Sequence, residues 1–406
     1  MKCYLIAKKL GHSFSKPIHN ALASYSYDYK ELEEYELESF FAQRSFDGLN
    51  VTIPYKTTVM PYLDEISPEA QKIGAVNTIF NKGGRLYGYN TDYYGFCYMI
   101  SEAKVDIKDK NVVIAGNGGA SKTAVCVCED LGAKSVRVIT RADNTAENIV
   151  KFLDAHIIVN ATPVGMYPDT GVSAIDINQF KSCEAVLDLI YNPSKTKIIL
   201  AAQKKGIKAV NGLGMLVAQA KKACEIFTGT IIDDSKIAQI RDNIERDTKN
   251  IVFVGMPGCG KSSVGKEIAT ILGREFYDCD EEISKTGRTP ECIIETDGEE
   301  EFRRIETRTL SELCKKSGSV IATGGGAVTI EKNFDIIHQN ATVVFINRPV
   351  ERLATEGRPL SQGGMEKLLK MQEKRLPLYR NFSHIEVSSS ETYQETAQKV
   401  IQKLSE

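Results

Sequence analysis

The sequence carries no excess of either charge. Lys and Arg total 51 against 53 Asp and Glu, a formal charge of −2, so neither a nucleic-acid backbone nor an anionic membrane surface is an expected partner. Long apolar runs are missing as well. None approaches the roughly 18 residues of a spanning helix, and Tyr4-Leu5-Ile6-Ala7, followed by Lys8 and Lys9, reads as a first strand, not a signal peptide. Histidine is scarce: five residues, with no His-x-x-x-His pair, and the ten cysteines contain no Cys-x-x-Cys. Zinc clusters are therefore set aside, and reduced thiols in the cytoplasm are expected. No internal repeat occurs, which excludes a duplicated architecture.

What is present is ordinary globular composition, 42% hydrophobic and 26% charged over 406 residues. That length exceeds what one core usually serves, so two domains are expected. From residue 110 onward, short β-branched runs at 111–115, 135–139, 156–160, 185–189, 251–254, 318–322 and 341–346 alternate with helical patterns. This predicts α/β units with parallel sheets. The first hundred residues read as a separate α/β lobe, with strands at 3–7 and 49–53, a hairpin across Asn81-Lys82-Gly83-Gly84, and helices near 17–25 and 67–74. The charged stretch 231–249 reads as a closing helix running into a linker at 247–249.

In the second half, Gly255-Met256-Pro257-Gly258-Cys259-Gly260-Lys261-Ser262 matches Gly-x-x-x-x-Gly-Lys-Ser/Thr between an apolar strand and a helical pattern, with Ser263 beside it. Backbone N–H groups of such a loop turn toward phosphate oxygens, Lys261 reaches the β- and γ-phosphates, and Ser262 can ligate magnesium. Asp278-Cys279-Asp280 then places two carboxylates near a strand end, one for magnesium and one for the phosphoryl acceptor.

Phe302-Arg303-Arg304-Ile305-Glu306, Thr323-Gly324-Gly325-Gly326, Arg352, Arg358-Pro359-Leu360 and Arg375-Leu376-Pro377-Leu378-Tyr379 follow in that order. With the phosphate loop, this series resembles shikimate kinase over residues 250–406, a P-loop fold similar to the nucleoside monophosphate kinases. The resemblance implies that Asp278 serves the magnesium shell with Ser262, and that Asp280 binds the substrate hydroxyls and acts as base. It further implies that Arg303 and Arg375 hold the substrate carboxylate, that Gly324, Gly325 and Gly326 bring backbone close to the ring, that Arg358 is a lid arginine over the phosphates, and that Arg352 stacks on adenine.

In the first half, Gly116-Asn117-Gly118-Gly119-Ala120-Ser121 follows a strand and opens a helix, as a Rossmann turn does, although Ser121 stands where the fingerprint has its third glycine. The next strand ends in Thr140-Arg141, where an NAD site would have a carboxylate. A guanidinium suits a 2′-phosphate, so NADP is expected over NAD. Upstream, Lys56 closes Asn50-Val51-Thr52-Ile53-Pro54-Tyr55-Lys56, and Gly74-Ala75-Val76-Asn77-Thr78 and Asn90-Thr91-Asp92 add amide, hydroxyl and carboxylate groups. A lysine placed so can move the proton that accompanies hydride transfer.

Together with His12-Ser13-Phe14-Ser15, His19-Asn20 and the run Asn211-Gly212-Leu213-Gly214-Met215 through Gln219, this set resembles shikimate dehydrogenase, although Lys16 stands before Pro17 where the family usually has proline directly after the second serine. The resemblance covers residues 1–246: a substrate lobe of about 1–100 plus helices of about 212–246, and a Rossmann cofactor lobe of about 101–211. It implies that Ser13 and Ser15 bind the substrate carboxylate. Thr52, Asn77 and Gln219 would join a Lys56–Asp92 dyad around the ring, with Asn160, Tyr191 and Gly212 along the cofactor and substrate cleft.

The joint expectation is a bifunctional enzyme of aromatic amino-acid biosynthesis, reducing 3-dehydroshikimate with NADPH and phosphorylating shikimate with ATP and magnesium, as a monomer or homodimer with small-molecule partners. Three rivals stand beside it. One is a quinate-using NAD dehydrogenase joined to the kinase, which Arg141 opposes. Another is a metabolite sensor without turnover, which should have lost Lys56, Asp92, Lys261, Asp278 or Asp280. A third, a module hydrolysing ATP to drive a partner, would not need the residues that match shikimate binding.

Overall fold

In the computed structural model, which describes residues 1–11, 13–143, 148–353 and 364–405, the chain divides into two units, Met1–Ile244 and Glu245–Glu406. Each contains a parallel sheet whose central strands are buried on both faces, as crossover helices on either side require.

The first unit has two sheets. Strands β1 (Lys2–Ala7), β2 (Ser26–Glu31), β3 (Gly48–Val51), β4 (Glu65–Ile66), β5 (Thr78–Lys82) and β6 (Arg85–Tyr89) form a mixed sheet in the order β2-β1-β3-β5-β6-β4. The expected hairpin is β5–β6, antiparallel, with Lys82 opposite Arg85. Strands β7 (Asn111–Ala115), β8 (Ser135–Ile139), β9 (Ile157–Asn160), β10 (Ala185–Asp188) and β11 (Lys208–Val210) form an all-parallel sheet in the order β11-β10-β9-β7-β8. The chain leaves β7 for β8 on one side and returns to β9 on the other, so the turn after β7 lies at the crevice where strand order reverses.

The helix Leu213–Thr228 returns to the first sheet, where Phe227 packs so closely on β3 that a Cβ at Gly48 would stand 2.7 Å from its ring. Beside it runs the helix Thr91–Glu102, and a Cβ at Gly95 would stand 2.7 Å from the Met215 carbonyl. These small-residue contacts set the two helices that carry Asp92 and Gln219 side by side.

The second unit is one parallel sheet of β12 (Asn250–Val254), β13 (Phe276–Asp278), β14 (Val320–Ala322), β15 (Ala341–Asn347) and β16 (Ile385–Ser388), ordered β13-β14-β12-β15-β16. Central β12 is fully buried, and the phosphate loop leaves its C-terminal end, again at the reversal. The linker expected at 247–249 is different: Asp247 and Thr248 form the last turn of the helix Ser235–Thr248, and β12 begins two residues later. Ile237 and Ile240, one turn apart, are buried and give that charged helix an apolar face.

Among the described residues, no helix is long and apolar enough to cross a membrane.

Candidate active sites

The first site forms where the mixed sheet meets the turn after β7. Lys56 lies in the turns following β3, and Asp92 in the first turn of the helix Thr91–Glu102, which Asn90 caps by accepting from Tyr93 N–H. Their side chains meet, with Lys56 Nζ donating to Asp92 Oδ2 at 2.5 Å, and both are largely shielded from water. A network of buried amides and hydroxyls holds the carboxylate's helix in place. Asn77 Oδ1 accepts from the Thr91 N–H at 2.7 Å, and Thr91 Oγ1 donates to Gln219 Oε1 at 3.3 Å. Asn77 and Gln219 thus position the dyad's helix as well as facing its surroundings. Thr52, half-buried, begins the turn that presents Lys56, with its carbonyl accepting from Tyr55 N–H.

Ser13 and Ser15 are brought together at the start of the helix Ser15–Leu22, their hydroxyls 3.2 Å apart. Phe14 between them meets Tyr191 from the loop after β10, with ring centroids 5.6 Å apart, so three residues of the predicted substrate set share one place. Burial pushes the Tyr191 phenol above its usual range.

Gly116 has φ +107°, and a Cβ there would stand 2.9 Å from the Ala161 carbonyl, so the turn between β7 and the helix Gly119–Asp130 admits only glycine. Gly118 caps that helix without a side-chain hydrogen bond, leaving first-turn N–H groups available to a pyrophosphate. The Ser121 hydroxyl donates to the Gly116 carbonyl at 2.6 Å, so it stabilises the turn in place of the fingerprint's third glycine. Ala120 lies in the same first turn. Asn117 and Ser121 line a cavity of about 330 Å³ beside it. A Cβ at Gly119 would stand 3.3 Å from Lys56 Cδ, which puts the cofactor turn against the dyad.

After β8, Thr140 is tied by its N–H and hydroxyl to Asp143 Oδ2, and Arg141 is exposed. The Arg141 guanidinium is thus the group of this turn whose chemistry fits an NADP phosphate, the Thr140 donors being taken by Asp143.

Two predicted residues act inside the protein. Asn160 is buried, with its amide donating to Asp188 and its carbonyl oxygen accepting from the Thr162 hydroxyl, so it ties the ends of β9 and β10 together. Gly212 caps the helix Leu213–Thr228 hard against the Leu189 backbone, where no side chain fits. Sequence reading passes over Asp188, which is buried at the end of β10, bonded to Asn160 and Thr196, and pushed up to about 6 by burial.

In the second unit, the phosphate loop and the predicted acceptor residues line one cavity of about 320 Å³. Gly260 caps the helix Lys261–Leu272 at φ +99°, the left-handed conformation that turns the loop's N–H groups inward. Gly255 and Cys259 pack together beneath, and a Cβ at Gly255 would stand 2.9 Å from Cys259 Sγ. Lys261 Nζ donates to the Gly255 and Met256 carbonyls at 3.0 Å each. Ser262 Oγ donates to Asp278 Oδ2 at 2.5 Å, while Asp278 Oδ1 caps the following helix by accepting from Asp280 N–H at 2.9 Å. Two hard oxygen donors next to a phosphate loop fit magnesium, which keeps waters and phosphate oxygens for the rest of its shell.

Asp280 is pushed up to about 6, by burial first and by the neighbouring Asp278 and Glu306 carboxylates, against the pull of Lys261. Arg303 Nη1 donates to the fully buried Glu306 at 2.7 Å, and Nη2 to Glu299 at 2.9 Å. Arg375 Nη1 and the Tyr379 hydroxyl both donate to the Gly325 carbonyl, at 3.2 and 2.5 Å.

The glycines are explained by what side chains there would strike. A Cβ at Gly324 meets the Glu306 carboxylate, one at Gly325 stands 2.5 Å from the Pro257 ring, and one at Gly326 meets the Arg303 guanidinium. Sequence reading assigns no role to Glu306, although its i,i+3 spacing from Arg303 on one helix is a usable signal. Arg352 is exposed on the turn Val350–Arg352 and does not line the cavity; Arg348 does. Arg358 lies outside the described residues.

Known proteins share both arrangements. Residues 5–79 match the family described as shikimate dehydrogenase substrate binding domain, and residues 257–405 match shikimate kinase. Over 266 residues the chain is 40% identical to the shikimate dehydrogenase (NADP(+)) of Clostridium perfringens strain SM101, covering 59% of this chain and 97% of that protein. The crystal structure of shikimate dehydrogenase 1 from Peptoclostridium difficile matches with a TM-score of 0.56 at 38% identity, covering 60% of this chain and 97% of that one. Shikimate 5-dehydrogenase from Thermus thermophilus, solved with NADP(H) and shikimate, matches with a TM-score of 0.51 at 30% identity, covering 60% of this chain and 99% of that one. Nearly the whole length of these relatives maps onto this chain, and the phosphate-loop unit matches a kinase family: the chain belongs to the shikimate dehydrogenase family and carries a shikimate kinase domain in the same polypeptide.

Proposed function

We propose that the first unit reduces 3-dehydroshikimate and the second phosphorylates the shikimate so formed. The observation that carries the reading is the convergence on one cavity of the phosphate loop with Asp280, Arg303, Arg375 and the three glycines, matched in the first unit by the Lys56–Asp92 contact beside the cofactor turn. When bound, NADPH supplies the hydride. Lys56, paired with Asp92, gives its proton to the carbonyl oxygen as that oxygen becomes a hydroxyl, while Ser13 and Ser15 hold the substrate carboxylate. In the second unit Asp280 takes the proton of the attacking hydroxyl, Arg303 and Arg375 pair the ring carboxylate, and Lys261 stabilises charge on the transferring phosphoryl group. All ten cysteines are free thiols, which suits a reducing compartment such as the cytoplasm.

The cofactor preference is testable at one residue. Arg141→Ala should raise the KM for NADPH about tenfold or more while leaving the much poorer use of NADH unchanged, since only NADPH offers the phosphate that the guanidinium pairs. Equal use of both cofactors before mutation would favour the quinate-type NAD reading.

Asp280 sets a pH limb. As a base it must be ionised, so kcat/KM for phosphorylation should rise through about pH 6 and level off above, and Asp280→Asn should lose that limb with the activity. The same shift opposes folding above that pH. The folded chain binds a proton that the unfolded chain has released, so this group's contribution to stability falls as pH rises from about 4 to about 6. At pH 7 Asp280→Asn should therefore stabilise the kinase unit by roughly 1–3 kcal/mol, read from thermal melting at pH 5 and 7, with about half of that gain already present at pH 5.

A further inference from the structure

Arg348 follows β15 directly and lines the same cavity as Gly258, Gly260, Lys261, Ser262 and Ser263. A Cβ on Gly260 would stand 3.7 Å from its Nη1, so the guanidinium lies over the loop at the N-terminus of the helix Lys261–Leu272. Its Nε is buried and makes no hydrogen bond among the described residues. Among the described residues, the other inward-facing arginines of this unit are engaged: Arg303 with Glu299 and Glu306, Arg375 with the Gly325 carbonyl, and Arg274 with the Arg246 and Lys249 carbonyls.

A buried guanidinium N–H without an acceptor opposes folding, and proteins keep such groups where a ligand supplies the acceptor. The chemistry of the surroundings identifies that ligand. The loop's N–H groups, Lys261 and Ser262 all recruit phosphate, and a guanidinium matches phosphate oxygens in a bidentate fork. The ring carboxylate already has Arg303 and Arg375 on the glycine side of the cavity, whereas Arg348 stands beside Gly260. Its four-residue offset from Arg352 separates it from the position expected to stack on adenine.

We propose that Arg348 binds the α- and β-phosphates of the nucleotide, as an in-chain cation additional to Lys261. The proposal rests on the reading of this unit as a kinase and names a specificity residue for its nucleotide. Because those two phosphates remain on ADP, Arg348 holds substrate and product alike, and its loss should act on nucleotide affinity more than on kcat.

The experiment uses the full chain and three competitors of ATP: ADP, inorganic tripolyphosphate and adenosine. In Arg348→Gln the inhibition constants of ADP and tripolyphosphate should rise at least tenfold, with the KM for ATP rising in parallel. The adenosine constant and the KM for shikimate should stay within twofold. Arg348→Lys should recover part of the loss. Unchanged tripolyphosphate inhibition overturns the proposal, and so does an equal loss for adenosine, which would place the residue on the base or show a disturbed fold. If Arg348→Gln turns over too slowly to assay, direct calorimetry of ADP and shikimate binding gives the same comparison. Shikimate-dependent ADP release by the unmodified chain tests the kinase reading by itself, so the two failures are distinguishable.

Discussion

Lys56→Met should lower NADPH-dependent reduction of 3-dehydroshikimate by about 10²–10⁴-fold, the range that a positioned general acid contributes. Methionine keeps the unbranched stem and removes the ammonium, so the loss should fall on kcat, with the KM for NADPH nearly unchanged. Lys56 is the counter-ion of Asp92, and losing it leaves that largely buried carboxylate without its ion pair. Asp92→Asn should therefore also impair reduction, and the double variant should lose little more than either single one, because groups acting as a unit are not additive. Phosphorylation of added shikimate should continue at the normal rate in all three. An unchanged reductase rate in Lys56→Met would remove the dyad from the mechanism.

The reciprocal experiment is Lys261→Ala, which should cut phosphorylation by about 10²–10³-fold or more, as removing a preorganised charge from a developing anion does. Lys261 also donates to two carbonyls of its own loop, so its substitution removes two hydrogen bonds along with the catalytic cation. Arg303→Ala should silence the same reaction by another route. It removes a substrate-carboxylate partner and also leaves the fully buried Glu306 without its counter-ion, so part of its effect should appear as a lower melting temperature of the kinase unit. Reduction of 3-dehydroshikimate should persist in both variants. Separate loss of the two activities is what one chain with two sites predicts.

The parts of the molecule that follow local rules are legible in the sequence. The phosphate loop, the turn after β7 and the central strands carry their chemistry in contiguous residues, and β7, β8, β12 and β15 lie where the apolar runs place them, to within a residue. Strands β2, β4, β11 and β16 have no counterpart among those runs, and each lies at an edge of its sheet, β4 being only two residues long as well. Edge strands need no continuous apolar run. Ser26–Glu31 carries Asp28, Lys30 and Glu31 in half-buried or exposed positions, so its pattern does not announce a strand.

Within the sites, residue types are legible and contacts are not. Phe14, between Ser13 and Ser15, meets Tyr191 only because the fold sets the loop after β10 against it, about 177 residues away in sequence. Glu306 and Gly324 explain one another only in space, since the glycine is required by the carboxylate that a Cβ would strike. Arg348 against Arg352 turns on where β15 ends, and a one-turn displacement decides which guanidinium faces the loop. Asn160 stands in a legible motif, yet its bonds to Asp188 and Thr162, one of them to a residue on another strand, show only in the fold.

The central claim is that this single chain performs two successive reactions on one ring, and the most direct measurement is a two-stage assay on the purified protein. 3-Dehydroshikimate and NADPH are supplied first, and absorbance of NADPH is followed; ATP and magnesium are then added, and ADP release is followed. The account predicts stoichiometric loss of NADPH, then ADP release that matches the shikimate formed and is absent when 3-dehydroshikimate is left out. Saturable binding of shikimate with no turnover in either stage, or ADP release that does not depend on shikimate, would contradict it.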